Sequence, residues 1–100
     1  MSPVPPEKHT KLGIALATLG KSPIDGLRNP PENGTNGWYL WCGTELPQEP
    51  DAFSPLHVEH VANYLPEAEE YLSLPPGYRF LIDGSNYEDA WLDESLLNPG

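Results

Sequence analysis

The run Gly37-Trp38-Tyr39-Leu40-Trp41-Cys42-Gly43 constrains this chain more than any other part of it. Aromatic side chains at this density suit a pleated surface, and a glycine at each end gives the run a place to start and stop. Alternate residues of a strand point to opposite faces, so Trp38, Leu40 and Cys42 would share one face and Tyr39 and Trp41 the other. Both sets are apolar. The run therefore predicts a central strand covered on each side, and the rest of the chain must supply its neighbours and its covers.

One hundred residues leave room for one domain with a modest core, and a 38% apolar fraction is too high for a disordered tail. Pro3, Pro5 and Pro6 bar helix and sheet, so residues 1–10 read as a flexible N-terminal arm and residues 11–100 as a single α+β domain. Residues 13–19 fit a strand by alternation, although Ala and Leu favour helix. Pro23-Ile24-Asp25-Gly26 has the chemistry of a turn, residues 28–37 that of a loop, and residues 44–53 form an acidic, proline-bearing connector. Asn33-Gly34 and Asn36-Gly37 are turn signals, and Asn33-Gly34-Thr35 matches a glycosylation sequon that carries no meaning in a cytoplasmic protein.

Ser54-Pro55 reads as a helix start, with Ser as N-cap and Pro at the first helical position. Val58, Val61, Ala62 and Leu65 follow as a core-facing stripe. Pro66 opens a second short helix, in which Glu67, Glu69 and Glu70 suit the positive N-terminal end and Ala68, Tyr71 and Leu72 form the buried face. Leu74-Pro75-Pro76-Gly77 stops it. Residues 78–82 read as a strand, Asp83-Gly84 as a turn and residues 88–93 as a pairing strand. The pattern predicts α+β architecture, a small antiparallel or mixed sheet with a helix pair packed on one face.

Five Lys and Arg stand against fifteen Asp and Glu, a net charge of −10. The imbalance is uneven: from residue 37 onward Arg79 alone faces twelve carboxylates. Such a field repels phosphate backbones and anionic membrane surfaces, so neither nucleic acid nor membrane is expected as a partner. It favours a basic protein, whose approach it would steer. No N-terminal apolar run resembles a signal peptide and no stretch approaches a membrane span, which makes the cytoplasm the expected location.

Catalytic and metal chemistry find little support. His57 and His60 stand three apart, but a zinc site needs further ligands, and surface or capping roles fit them better; no metal and no cofactor are expected. Cys42, the only cysteine, allows no internal disulfide, and in so acidic a chain it reads as a small buried hydrophobe rather than a nucleophile. Carboxylate pairs abound, yet so short a chain offers little wall for a sugar cleft. The aromatic content is more telling. Trp38, Phe80 and Trp91 are expected in the core, and aromatics left at a surface among carboxylates have the composition of a protein-binding patch.

Arg28-Asn29-Pro30-Pro31, then Gly37-Trp38-Tyr39-Leu40-Trp41-Cys42-Gly43-Thr44-Glu45, then Tyr71-Leu72 with Pro76-Gly77 and Phe80, together resemble the small bacterial immunity proteins of the family immunity protein thirty-three. The resemblance spans roughly residues 13–82, with prolines and Phe53 where the family's connector is usually acidic. It implies an antidote made beside a polymorphic toxin and acting by tight binding, without catalysis. An acidic antidote suits a basic toxin.

The residues expected to contact that partner are Glu67, Glu69, Glu70, Asp89, Asp93 and Glu94 for steering, with Tyr39, Trp41 and Tyr87 as anchors. A rival reading is a small-ligand or regulatory domain whose pocket is lined by Trp38, Trp41 and Trp91.

Overall fold

A computed structural model describes residues 3–31, 34–49, 51–84 and 87–97 of the chain. Six strands form one sheet: β1 (Lys11–Ile14), β2 (Ile24–Arg28), β3 (Thr35–Cys42), β4 (Ser54–His57), β5 (Tyr78–Ile82) and β6 (Glu88–Leu92), in the order β4-β1-β3-β2-β5-β6. β1 runs parallel to β3 and every other pairing is antiparallel, so the sheet is mixed. The helical segments among the described residues are short and 3₁₀ in type: Leu16–Thr18, Val58–Asn63, Pro66–Tyr71 and Glu94–Leu96.

β3 lies inside the sheet between β1 and β2, and its two faces divide as the alternation requires. Trp38, Leu40 and Cys42 join Leu12, Ile14 and Phe80 in the main core, which Val61, Leu65, Ala68 and Leu72 of the 3₁₀ layer close. The Trp38 indole N–H donates to Leu72 O at 3.0 Å, pinning that layer to the central strand. On the opposite face Trp41 packs with Ala15 and Leu27 under Phe53 and Leu96. Phe53 thus makes the connector a cover, with its ring edge-on to Tyr39 and to Trp41.

Arg28 ends β2 and is buried, with no carboxylate partner among the described residues. Its Nε donates to Asn36 O at 2.9 Å, and one terminal nitrogen donates to Val4 O at 2.5 Å and Leu74 O at 2.8 Å. The guanidinium also lies over the Trp38 ring, 5.8 Å from its centre. Burial draws its pKa down from the ordinary arginine value. Val4 is tied again by its N–H to Ser73 O, so part of the proline-rich arm runs along the body of the fold.

Several local expectations give way to tertiary packing. Ile24, Asp25 and Gly26, read as a turn, belong to β2; the reversal comes earlier, where the Ser22–Pro23 peptide is cis. Gly26 is glycine for lack of space, because a Cβ there would sit 2.2 Å from Phe80 Cε2. Residues 13–19 divide between the end of β1 and a 3₁₀ turn, closed by Thr18, whose hydroxyl donates to Ala15 O and accepts from the Cys42 N–H. Asn36-Gly37 lies within β3 at a register irregularity, with Gly37 at φ 89° and its Cβ position 1.9 Å from Asn29 O. Asn33, the sequon asparagine, lies outside the described residues.

The expected helix pair becomes two 3₁₀ segments, and Ser54-Pro55 belongs to strand β4 instead of capping a helix. Proline is tolerated on an edge strand, and pairing there sets Leu56 against Leu12. Pro66 then displaces the preceding Leu65 from helical geometry, to φ −137° and ψ 71°, leaving too few residues for an α-helix. Three residues per turn put Val58 and Val61 on the core side and leave Ala62 exposed.

Candidate functional site

β6 is an edge strand, and all five of its residues are exposed. It pairs with β5 in unbroken register from Tyr78↔Leu92 to Ile82↔Glu88. Trp91, expected in the core, is 37% exposed because no element among the described residues lies beyond β6 to cover it; Leu92 and the preceding Tyr87 are 46% and 53% exposed. Three large apolar side chains thus gather on one edge.

Carboxylates surround them. Asp89 accepts from the Tyr87 hydroxyl at 3.3 Å, and Glu88 accepts from the Tyr71 hydroxyl on the opposite face. Asp93 meets Arg79 at 3.3 Å and accepts from the N–H and hydroxyl of Ser95. The Ser95 bonds first, and Arg79 with them, hold the Asp93 carboxyl below its usual range. Arg79 is also 5.7 Å from the centre of the Trp91 ring, so the one cation of this edge is already occupied by an aromatic face and a carboxylate.

Tyr71 joins this edge to the 3₁₀ layer. Its ring stacks on Phe80 with centres 4.9 Å apart, and its hydroxyl reaches Glu88. Burial first, then Glu88 and Glu70, push the Tyr71 pKa up to about 12. Glu70 and Glu88 therefore act on one phenol from two elements. Glu67, Glu69 and Glu70 are exposed on the segment Pro66–Tyr71 that carries it.

The structure thus brings Tyr87, Asp89, Asp93 and Glu94 to one edge and links Glu67, Glu69 and Glu70 to it through Tyr71. It does not bring Tyr39 and Trp41 there. These belong to β3, separated from β6 by both β5 and β2, where Tyr39 is half-buried and Trp41 only 2% exposed. The residues sequence reasoning missed are Glu88, Tyr71, Arg79 and Leu92. Alternation in residues 87–93 pairs Trp91 with Asp89 on one face, but nothing in that pattern marks β6 as the outermost strand.

The trio Trp38, Trp41 and Trp91 does not converge. Trp38 and Trp41 lie on opposite faces of β3 and Trp91 on the edge, so they line no common pocket. An open groove of about 970 Å³ lies instead beyond the end of the sheet, bordered by Leu16, Lys21, Glu45, Leu46, Glu49 and Asp51. A smaller one of about 380 Å³ lies beside it, between Lys21, Tyr64 and Glu67. The Cys42 thiol is buried, and burial pushes its pKa up. The His57 and His60 rings are 6.1 Å apart, and among the described residues no group of three or more His, Cys, Asp or Glu is placed to hold a metal ion. None of the helices among those residues is long and apolar enough to cross a membrane.

These features define a small mixed-sheet domain with an acidic, aromatic-bearing open edge. The chain belongs to the Imm33-like domain family, whose family model matches residues 1–93, in line with the resemblance carried by its Arg28 and Trp38–Glu45 motifs. No curated protein and no solved structure matches it.

Proposed function

We propose that this chain is an immunity protein that neutralises a cognate bacterial toxin by binding it, without catalysis of its own, in the cytoplasm. The observation that carries the reading is the acidic edge in a member of the Imm33-like family. Asp89, Asp93 and Glu94 stand beside the exposed Tyr87, Trp91 and Leu92, with Arg79 already held by Asp93 and Trp91. Glu67, Glu69 and Glu70 are exposed on the segment that Tyr71 ties to this edge. Rim charges of this kind speed the approach of a basic partner, whereas aromatic anchors slow its departure. Tyr87 and Trp91, both exposed, serve as the anchors in this reading. Tyr39 and Trp41 act in this reading by supporting the sheet from beneath Phe53.

Co-production with the toxin domain encoded beside it tests the proposal. Growth is expected to be rescued by the parent chain, and rescue is expected to weaken when Glu69, Glu70 and Glu94 are together replaced by Lys. Failure of the parent chain to rescue growth and to bind that toxin contradicts the inhibitor reading.

A further inference from the structure

The two edges of the sheet are built differently. β4 is four residues long and carries Pro55, which lacks an N–H; both features blunt a strand against additional pairing. β6 has neither proline nor glycine and no register break. Its ladder also shows which backbone groups β5 leaves unused. The Asp83 N–H donates to Tyr87 O at 2.9 Å and the Asp93 N–H to Gly77 O at 2.7 Å. Positions 83/87 and 77/93 are therefore hydrogen-bonded pairs, and alternation makes Leu81/Asp89 and Arg79/Trp91 the others between them. Glu88, Ala90 and Leu92 occupy the intervening pairs, so their N–H and C=O groups point away from β5, toward the open edge.

We infer that this edge takes up a strand of the partner as a seventh strand of the sheet, and that the incoming strand is basic. The inference rests on the inhibitor reading and names its mode of recognition. Backbone bonds to Glu88, Ala90 and Leu92 supply register-specific binding, as in strand addition generally. Glu88 on one face and Asp89 and Asp93 on the other favour Lys or Arg at alternate positions of the added strand, where opposite charges across a ladder are stabilising. Trp91 and Leu92 offer apolar contact on opposite faces. A second copy of this chain is the wrong occupant, because β6–β6 pairing would bring together two edges that each carry Glu88, Asp89 and Asp93, with Arg79 already held by Asp93 and Trp91.

Ala90→Pro removes one outward N–H and leaves the β5–β6 ladder intact, since that N–H makes no bond to β5. Backbone amide exchange is followed by NMR with a short peptide of alternating Lys and Val as probe. Exchange at Glu88, Ala90 and Leu92 is expected to slow by roughly tenfold or more on peptide binding. Asp89 and Trp91, already bonded to β5, should change little. Ala90→Pro, with an unchanged melting transition, should lose the peptide, and a Glu-Val peptide should not bind. Equal binding by Ala90→Pro, equal binding of the acidic peptide, or no protection at the three amides overturns the inference. So does self-association through β6 that Ala90→Pro abolishes. Toxin neutralisation is read separately: a folded Ala90→Pro variant that neutralises as well as the parent overturns the strand addition and leaves the inhibitor standing. A parent chain that takes the basic peptide but neutralises nothing does the reverse.

Discussion

Asp25 and Trp41 face each other across β2 and β3, and each buries a polar atom that meets no hydrogen-bonding partner among the described residues, Oδ2 of the carboxylate and Nε1 of the indole. Asp25 is 9% exposed, and burial raises its pKa from 3.8 to about 6 against the opposing pull of Arg79. A carboxyl whose folded pKa is raised binds its proton more tightly in the native state. Its contribution to stability is fully present below about pH 4 and is lost as the pH rises through about 6.

Stability measured by urea unfolding should therefore fall between pH 4 and 7, and part of that fall should vanish in Asp25→Asn. The difference between parent and variant should grow with pH by about 2 kcal/mol, allowing for some solvation of the carboxyl. The comparison removes the self-repulsion of the acidic surface, which both chains share. Parallel pH profiles would show that Asp25 is not the group responsible.

Arg28 unites three separated segments through Val4, Asn36 and Leu74. Arg28→Ala strands three carbonyls, that of Asn36 buried and those of Val4 and Leu74 partly buried, and uncovers Trp38, and it is expected to cost about 3 kcal/mol in urea unfolding. Arg28→Lys should recover only part of this, because an ammonium cannot reproduce the planar fork. Full recovery by lysine would mean that charge alone matters there.

Gly26→Ala puts a methyl group into the space held by Phe80 and Leu40. Overpacking of this kind is expected to cost about 2 kcal/mol, visible as a lowered melting temperature. Phe80→Leu in the same chain should return part of the loss if the ring is the obstacle, and no recovery would place the strain elsewhere.

The central strand, its division into two faces and the strand at 78–82 were legible because their patterns are local and strong. β2 was not. Pro23, Asp25 and Gly26 carry turn chemistry, and only the packing of Phe80 against Gly26 turns that stretch into a strand. The apolar stripe from Val58 to Leu72 marked a core-facing layer in all but Ala62, which is exposed, while the closeness of Pro55 and Pro66 decided its 3₁₀ form. At the candidate site the acidic residues were legible as composition. The exposure of Trp91 and the burial of Trp41 depend on strand order, which no single segment records, and the burial of Asp25 depends on the covers supplied by Phe53 and Leu96.

The proposed recognition of a basic toxin through the acidic edge is tested most directly by the association rate of this chain with its cognate toxin. Stopped-flow tryptophan fluorescence at low and at high salt, for the parent and for the triple variant Glu69→Lys, Glu70→Lys, Glu94→Lys, provides that rate. The account predicts a parent rate that falls about tenfold or more as salt rises, and a variant that is slow at low salt and nearly insensitive to salt. Equal rates for the two proteins, with equal salt dependence, would contradict it.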